Sequence, residues 1–288
     1  MKKTRIIFVL IVLVLCIASL TACSRAKQYF VYGTTLEIQT AGVKSKQTVD
    51  DIYGYISSLE SVLSPTVEGS DIYRINHSKT GVAVACSETT MQIMRIATEV
   101  FKASGGAYDP SVYPLVRLWK FSGDLYSDVG DFIVPQYSEI QAALQLVGLD
   151  KTFSADYENS TITKLIDGAM LDFGGVAKGY AVEKSLAFAN GKTLVNLGGN
   201  IGAIEGSFNV GIANPQRKGR EFVNSYFAKF RLQDGECVST SGDYERYYVV
   251  QDGEREKIYH HIINPFTGVP STTSGEDGVV SCSVVTKN

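Results

Sequence analysis

Apolar residues recur at helical spacing in the first half of this chain and in short, strand-length runs in the second. Val49, Ile52, Ile56, Leu59 and Val62 follow three- and four-residue steps, which predicts an amphipathic helix. Residues 29–39 read as a strand interrupted at Gly33, and residues 64–76 as a polar loop. Ser87 is placed to cap a second helix with Glu88 in its first turn and Met91, Met94, Ala97, Val100 and Phe101 along one face; Gly105-Gly106 stop it. Ser138 is placed to cap a third helix ending near Gly148, and a fourth follows Gly175 and runs to Asn190-Gly191. From Lys192 onward the pattern turns to strands, at 193–197, 208–212, 226–232, 247–250, 258–263 and 279–285. Helices early and strands late predict an α+β fold rather than a βαβ repeat. No stretch reads as a linker between autonomous domains.

The N-terminus departs from this pattern. Lys2, Lys3 and Arg5 precede an apolar run from Ile6 to Ile17, which has the length of a signal-peptide core and is short for a membrane span. Leu20-Thr21-Ala22-Cys23 then resembles a bacterial lipobox. This implies cleavage before Cys23, lipid on its thiol, and residues 24–28 as a short tether. Residues 1–22 therefore stand outside the folded part. The roughly 265 residues that remain suffice for one large domain or two intimate subdomains. The formal net charge of −3 gives no basic footprint for nucleic acid. Beyond Cys23 the cysteines are Cys86, Cys237 and Cys282, an odd set without a C-x-x-C pair, which argues against a disulfide framework or a zinc site. They read as small buried hydrophobes.

Candidate chemistry gathers at glycine-bounded junctions. Met170-Leu171-Asp172-Phe173-Gly174-Gly175-Val176-Ala177-Lys178-Gly179-Tyr180 reads as a short strand ending in a carboxylate, two glycines, and a helix with a lysine in its first turn. A helix N-terminus favours phosphate, Asp172 can face a cation or a polar ring edge, and Lys178 can neutralise phosphate charge. It is no Walker A loop, and the same arrangement also serves as plain scaffolding. In Gly105-Gly106-Ala107-Tyr108-Asp109-Pro110, Tyr108 can stack on a planar ring and Asp109 can bond a ring N–H; a helix cap followed by a turn is the other reading. Asn196-Leu197-Gly198-Gly199-Asn200 ends a strand where a ligand can come close. Ser239-Thr240-Ser241-Gly242-Asp243-Tyr244 is a hydroxyl-rich turn. His260 and His261, adjacent on a strand, point to opposite faces, so at most one of them faces a shared site.

In their order along the chain these segments resemble the ApbE family of bacterial lipoproteins, the FAD:protein FMN transferases. The resemblance rests on Tyr32-Gly33-Thr34-Thr35, Ser104 to Pro110, Leu115-Val116-Arg117-Leu118-Trp119, the Met170–Tyr180 segment, Val195 to Ile201, Gly211-Ile212-Ala213-Asn214-Pro215, Thr240 to Arg246 and His261-Ile262-Ile263-Asn264-Pro265-Phe266-Thr267-Gly268. It implies one large α+β domain at 29–288 built of two intimate subdomains, with mixed and antiparallel sheets, helices packed on them and a T-fold type core. It also implies Mg²⁺-dependent transfer of FMN from FAD to a threonine or serine hydroxyl of an extracytoplasmic target, with release of AMP. The target expected is a flavin-acceptor subunit of a membrane redox complex, with the chain itself lipid-anchored on the extracytoplasmic side of the cell membrane.

Carried over residue by residue, the family pattern puts Tyr32, Thr66, Ala107, Tyr108, Asp109, Asp172, Lys178 and Ile263 around FAD. Gly175 falls on a metal-ligand position, where it can offer only its carbonyl. His261 matches the base. Thr66 stands where a tyrosine is common, Tyr32 where methionine or phenylalanine is, and Asn264 where aspartate is. In the family, an Ala-Asp-x-x-[Ser/Asp]-Thr segment on a helix follows the last strand and supplies further metal ligands. Here the sequence stops at Thr286-Lys287-Asn288, so the expectation is a truncated or frameshifted product, with a metal site incomplete by nature as the alternative. Two other readings share the pocket: an FAD pyrophosphatase using water, and a non-catalytic FAD-binding lipoprotein.

Overall fold

The structure, a computed structural model, describes residues 24–123, 125–127, 132–215, 217–218, 221–222, 226–253, 255–271 and 278–287. The predicted signal segment and Cys23, the residue expected to carry lipid, lie outside them. In chain order the strands are β1 (Ser24–Val31), β2 (Thr34–Ala41), β3 (Ala83–Ala85), β4 (Phe153–Asp156), β5 (Thr161–Lys164), β6 (Thr193–Leu197), β7 (Asn200–Ile204), β8 (Phe208–Ala213), β9 (Arg217–Lys218), β10 (Glu221–Phe222), β11 (Tyr226–Leu232), β12 (Glu236–Gly242), β13 (Tyr247–Asp252), β14 (Arg255–His260) and β15 (Ser281–Lys287). The helices are α1 (Ser45–Leu63), α2 (Asp71–His77), α3 (Glu88–Ala103), α4 (Tyr113–Leu118), α5 (Tyr137–Leu144), α6 (Leu149–Thr152) and α7 (Gly174–Ser185).

The architecture is α+β, as expected. A six-stranded antiparallel sheet in the order β1-β2-β6-β7-β12-β15 forms its centre. β2 alternates: Leu36, Ile38 and Thr40 are buried while their neighbours are less so. α1 and α7 pack on this inner face. α1 buries Val49, Ile52, Ile56, Leu59 and Leu63, each worth about 1.5–3 kcal/mol by removal from water. β6 is buried on both faces: Val195 and Leu197 join the helical core, while Leu194 joins Ala203, Val210, Leu232 and Val238 under the β8–β11 hairpin. A third apolar cluster gathers Leu115, Trp119, Phe121, Ile140, Val147 and Tyr248 around α4 and α5.

Several expectations need correction. Residues 24–28, expected as a tether, form the start of β1, with Ser24 opposite Ala41 and Gln28 opposite Glu37. The single interrupted strand at 29–39 is a hairpin. Tyr32 and Gly33 turn it with φ of 55° and 64°, the mirror-image turn that matches strand twist. The expected polar loop at 64–76 contains α2, capped by Ser70, whose hydroxyl accepts from Tyr73 N–H, and anchored by buried Ile72 and Ile75. Two apolar residues are too few for periodicity to show. The third helix begins at Tyr137 after Gln136, whose N–H donates to the Glu139 carboxylate, and Ser138 is not its cap. On α3 the Ser87 cap is present, but Ile93 is buried and Val100 exposed. Cys86 and Cys237 are half-buried, and Cys282 is exposed on the edge strand β15.

One polar clasp positions the site. The Asn76 side chain accepts from Leu171 N–H (2.7 Å) and donates to Leu171 C=O (2.9 Å). Lys164, buried, donates to the Asn76 carbonyl at 2.8 Å. Met170 bridges in parallel to Val112, and Asp172 N–H donates to Pro110 C=O at 2.8 Å. Replacing Asn76 by alanine leaves both Leu171 groups buried without a partner. Urea denaturation of Asn76→Ala is therefore expected to show a loss of about 2–4 kcal/mol, and a loss below about 0.5 kcal/mol would show the clasp to be dispensable.

Candidate active site

Four segments converge at one end of the central sheet: the β1–β2 turn, the β6–β7 turn, the start of α7, and the ends of the β13–β14 ribbon. In the β6–β7 turn, Gly198 and Gly199 have φ of 55° and 83°, and a Cβ on Gly198 would lie 2.7 Å from the Thr34 hydroxyl. Gly198 N–H donates to Thr35 C=O (3.1 Å), and Thr240 N–H donates to Gly199 C=O (3.1 Å). Glycine lets the two hairpin tips touch.

At the start of α7, Asp172 Oδ1 accepts from Gly174 N–H at 2.8 Å and so satisfies one of the helix's first N–H groups. The Tyr108 ring packs onto Gly175, where a Cβ would come within 2.8 Å of its Cε2. The Tyr108 hydroxyl is buried without a protein partner among the described residues. Burial first, and then the Asp172 and Asp109 carboxylates, raise its phenol well above the ordinary tyrosine value. An orphaned hydroxyl beside a helix N-terminus is what a polar ligand would satisfy.

Lys178 lies half-buried one turn on, and its Nζ donates to Gly174 C=O at 2.9 Å. Burial lowers its amine; Asp172 and Glu245 oppose that, and Arg246 reinforces it. His261 follows β14, with its backbone N–H on Arg246 C=O at 3.0 Å and its Nδ1 3.3 Å from the same oxygen. A carbonyl can only accept, so Nδ1 carries the proton and Nε2 is the acceptor nitrogen. Burial pushes the His261 imidazole down to about 4, with Arg246, His260 and Lys178 adding to the depression against the pull of the Arg246 carbonyl. It is neutral at pH 7. His260 does point the other way: Nε2–H donates to Ser271 C=O at 2.7 Å and Nδ1 accepts from Ile262 N–H, which makes it structural.

The other expected residues fall differently. Asp109 is buried and turned into its own loop: Oδ1 accepts from Ser111 N–H (2.8 Å) and Ser111 Oγ (2.6 Å), and Oδ2 from Leu149 N–H (3.3 Å). Burial raises its carboxyl against those bonds. Ala107 is exposed beside it. Tyr32 brings its backbone to the site, but its N–H donates to Glu60 on α1 and its ring packs on the helical core. Ile263 pairs with Pro270 at the edge of the aromatic cluster. Thr66 is exposed in the loop after α1 and bonds Ser64. Asn264 caps its turn through Oδ1, accepting from Phe266 and Thr267 N–H groups, a role its amide oxygen fills as a carboxylate would.

Arg246 is the residue that sequence reasoning passed over. Its guanidinium donates to Gly33 C=O (3.2 Å) and Phe121 C=O (3.1 Å). The signal was present, since Arg246 closes the Thr240–Arg246 segment.

Among the described residues no three His, Cys, Asp or Glu side chains gather as a metal site. Among the described residues, Asp172 offers a hard cation a carboxylate at the start of α7, with backbone oxygens beside it. That set fits Mg²⁺ carried on substrate phosphates, because Mg²⁺ keeps several waters and takes one or two carboxylates; it does not fit an ion caged by protein alone.

Residues 32–288 match the ApbE family. The chain belongs to the ApbE family. Relatives named FAD:protein FMN transferase include one from Klebsiella pneumoniae, 28% identical over 76% of this chain and 65% of its own length. Another, from Vibrio cholerae, is 28% identical over 89% of this chain and 75% of its own, and one from Treponema pallidum is 27% identical over 95% and 80%. Among solved structures, the ApbE protein of Thermotoga maritima superposes with a TM-score of 0.78 at 28% identity, covering 92% of this chain and 82% of that one. The flavin transferase ApbE of Vibrio cholerae gives 0.73 at 25%, with 92% and 82% covered. Kinship with these ApbE transferases makes the chain a member of a transferase family, and the fold is theirs.

The depressed His261 makes a thermodynamic prediction. Between the ordinary histidine value of 6.5 and about 4 the unfolded chain binds a proton here that the folded chain does not. Stability is therefore lost as pH falls through that window. Denaturation midpoints of His261→Gln are expected to fall less steeply than wild type from pH 6.5 to 4; parallel slopes would place the titration elsewhere.

Proposed function

We propose that the chain transfers FMN from FAD to a threonine or serine hydroxyl of a target protein and releases AMP. The observation that carries the reading is the corner where Lys178, the orphaned Tyr108 hydroxyl, Asp172 and the neutral His261 meet at the start of α7. Attack on a pyrophosphate is mostly a matter of positioning and charge. Lys178 and the α7 N-terminus are placed to mask phosphate charge, and the Tyr108 ring, laid on Gly175, offers a flat face and a hydroxyl to the bound molecule. Mg²⁺ bound with the pyrophosphate, beside Asp172 and the Gly175 carbonyl, would supply further neutralisation.

In the step itself, the acceptor Oγ bonds to the FMN phosphorus while the bond from that phosphorus to the bridging oxygen breaks. AMP leaves with the bridging oxygen, and the hydroxyl proton goes to His261 Nε2. At pH 7 His261 is in the form that accepts. Phosphate charge beside it opposes the depression of its pKa and strengthens it as a base. Water in place of the acceptor would give FMN and AMP, the pyrophosphatase reading; the same site serves both.

The acceptor proposed is a flavin-bearing subunit of a membrane redox complex. Cys23 is proposed to carry lipid that anchors the chain on the extracytoplasmic side of the cell membrane. Growth with labelled palmitate tests this, with label on the wild type and none on Cys23→Ala supporting it.

The transfer reading is tested with the full chain, FAD, Mg²⁺ and a protein bearing an acceptor threonine, reading in-gel flavin fluorescence and free AMP. Fluorescent target supports transfer. AMP without labelled target supports hydrolysis, and FAD retained intact overturns both. His261→Ala is expected to lower kcat by about 10²- to 10⁴-fold while FAD affinity holds. Lys178→Met, losing a charged donor, is expected to weaken FAD binding by about 10- to 100-fold.

A further inference from the structure

Arg246 and His261 face each other where the β13–β14 ladder runs out. Tyr247 pairs with His260, and the next pair outward is Arg246 with His261, joined by His261 N–H on Arg246 C=O. That carbonyl also takes the proton of His261 Nδ1. The Arg246 side chain reaches away from this pair to two carbonyls far apart in sequence, Gly33 in the β1–β2 turn and Phe121 after α4. The fit at Gly33 is close: a Cβ there would lie 2.7 Å from Nη2. Two charge-assisted hydrogen bonds of the same residue therefore oppose a shift of the carbonyl that orients His261.

We infer that Arg246 is a positioning residue whose side chain clamps the backbone carbonyl that holds His261 in its Nδ1–H form, and so fixes Nε2 as the nitrogen that accepts a proton. Its effect on catalysis rests on His261 being the base, as proposed above; the effect on the tautomer does not. Lysine is an incomplete substitute, because a point donor cannot span both carbonyls as the guanidinium fork does.

The test is ¹⁵N-detected NMR of the imidazole nitrogens in the full chain without FAD. The chain has three histidines, and His261 is assigned by its loss in His261→Gln. In the wild type, His261 is expected as the pure Nδ1–H form. In Arg246→Met it is expected as a mixture of the two tautomers, with kcat down about 10-fold or more and the FAD Kd within about 3-fold of wild type. Arg246→Lys is expected between the two and gives the same readout if the methionine variant does not fold. A pure Nδ1–H form in the Arg246 variant overturns the inference. So does a large rise in Kd with kcat at saturating FAD unchanged, which would make Arg246 a ligand for FAD itself. If His261→Ala keeps the wild-type rate while the Arg246 variant still mixes tautomers, the base assignment fails and the clamp stands.

Discussion

The site depends on a short stretch of chain, residues 169–172, that no regular strand ladder holds. Both Leu171 backbone groups are satisfied by one side chain, Asn76, and the next N–H, that of Asp172, by Pro110. In a buried place each such bond matters more for its absence than for its presence. With this clasp, Asp172 arrives at the first turn of α7 in register with Tyr108, and the helix starts where the two loops meet. The large core, the β2–β6 pairing and the packing of α7 on the sheet serve to keep that junction still.

Electrostatics at the junction is a balance of opposing pulls. Lys178 and Arg246 crowd positive charge into a half-buried corner beside His261, and burial presses on the Lys178 amine and the His261 imidazole. The fold answers by keeping His261 neutral and by setting Asp172 and Glu245 against Lys178. A corner of this kind suits an anion, whose charge would offset the crowding of cations.

Much of this was legible in the sequence, for identifiable reasons. α1 carries five apolar residues at helical spacing, and Ser87 signals the start of α3 because capping is a local matter. Lys178 and Asp172 could be read because the glycine pair between them announces a helix start, although the strand expected before it is only a single bridge at Met170. What was hidden depended on distance or on exceptions. The pairing of β2 with β6 brings residues over a hundred positions apart together, and spacing holds no record of it. Tyr32 takes a left-handed turn conformation that a glycine would have advertised. β12 is rich in hydroxyls and reads as a turn, yet it lies in the sheet between β7 and β15. Asp109 looked like a ligand for a flavin ring edge, and its carboxylate proves to be occupied with Ser111 and Leu149.

The two adjacent histidines carry a consequence for how the β13–β14 ribbon must pair. His260 is sealed inside and bonded at both nitrogens, while His261 faces the corner. Side chains alternate along a strand, so a slip of one residue in this hairpin would trade their places. The chain would still present an imidazole at the corner, but the wrong one, with its tautomer no longer dictated by Arg246. Fidelity of chemistry at this end of the molecule is thus inherited from fidelity of strand alignment in a small ribbon.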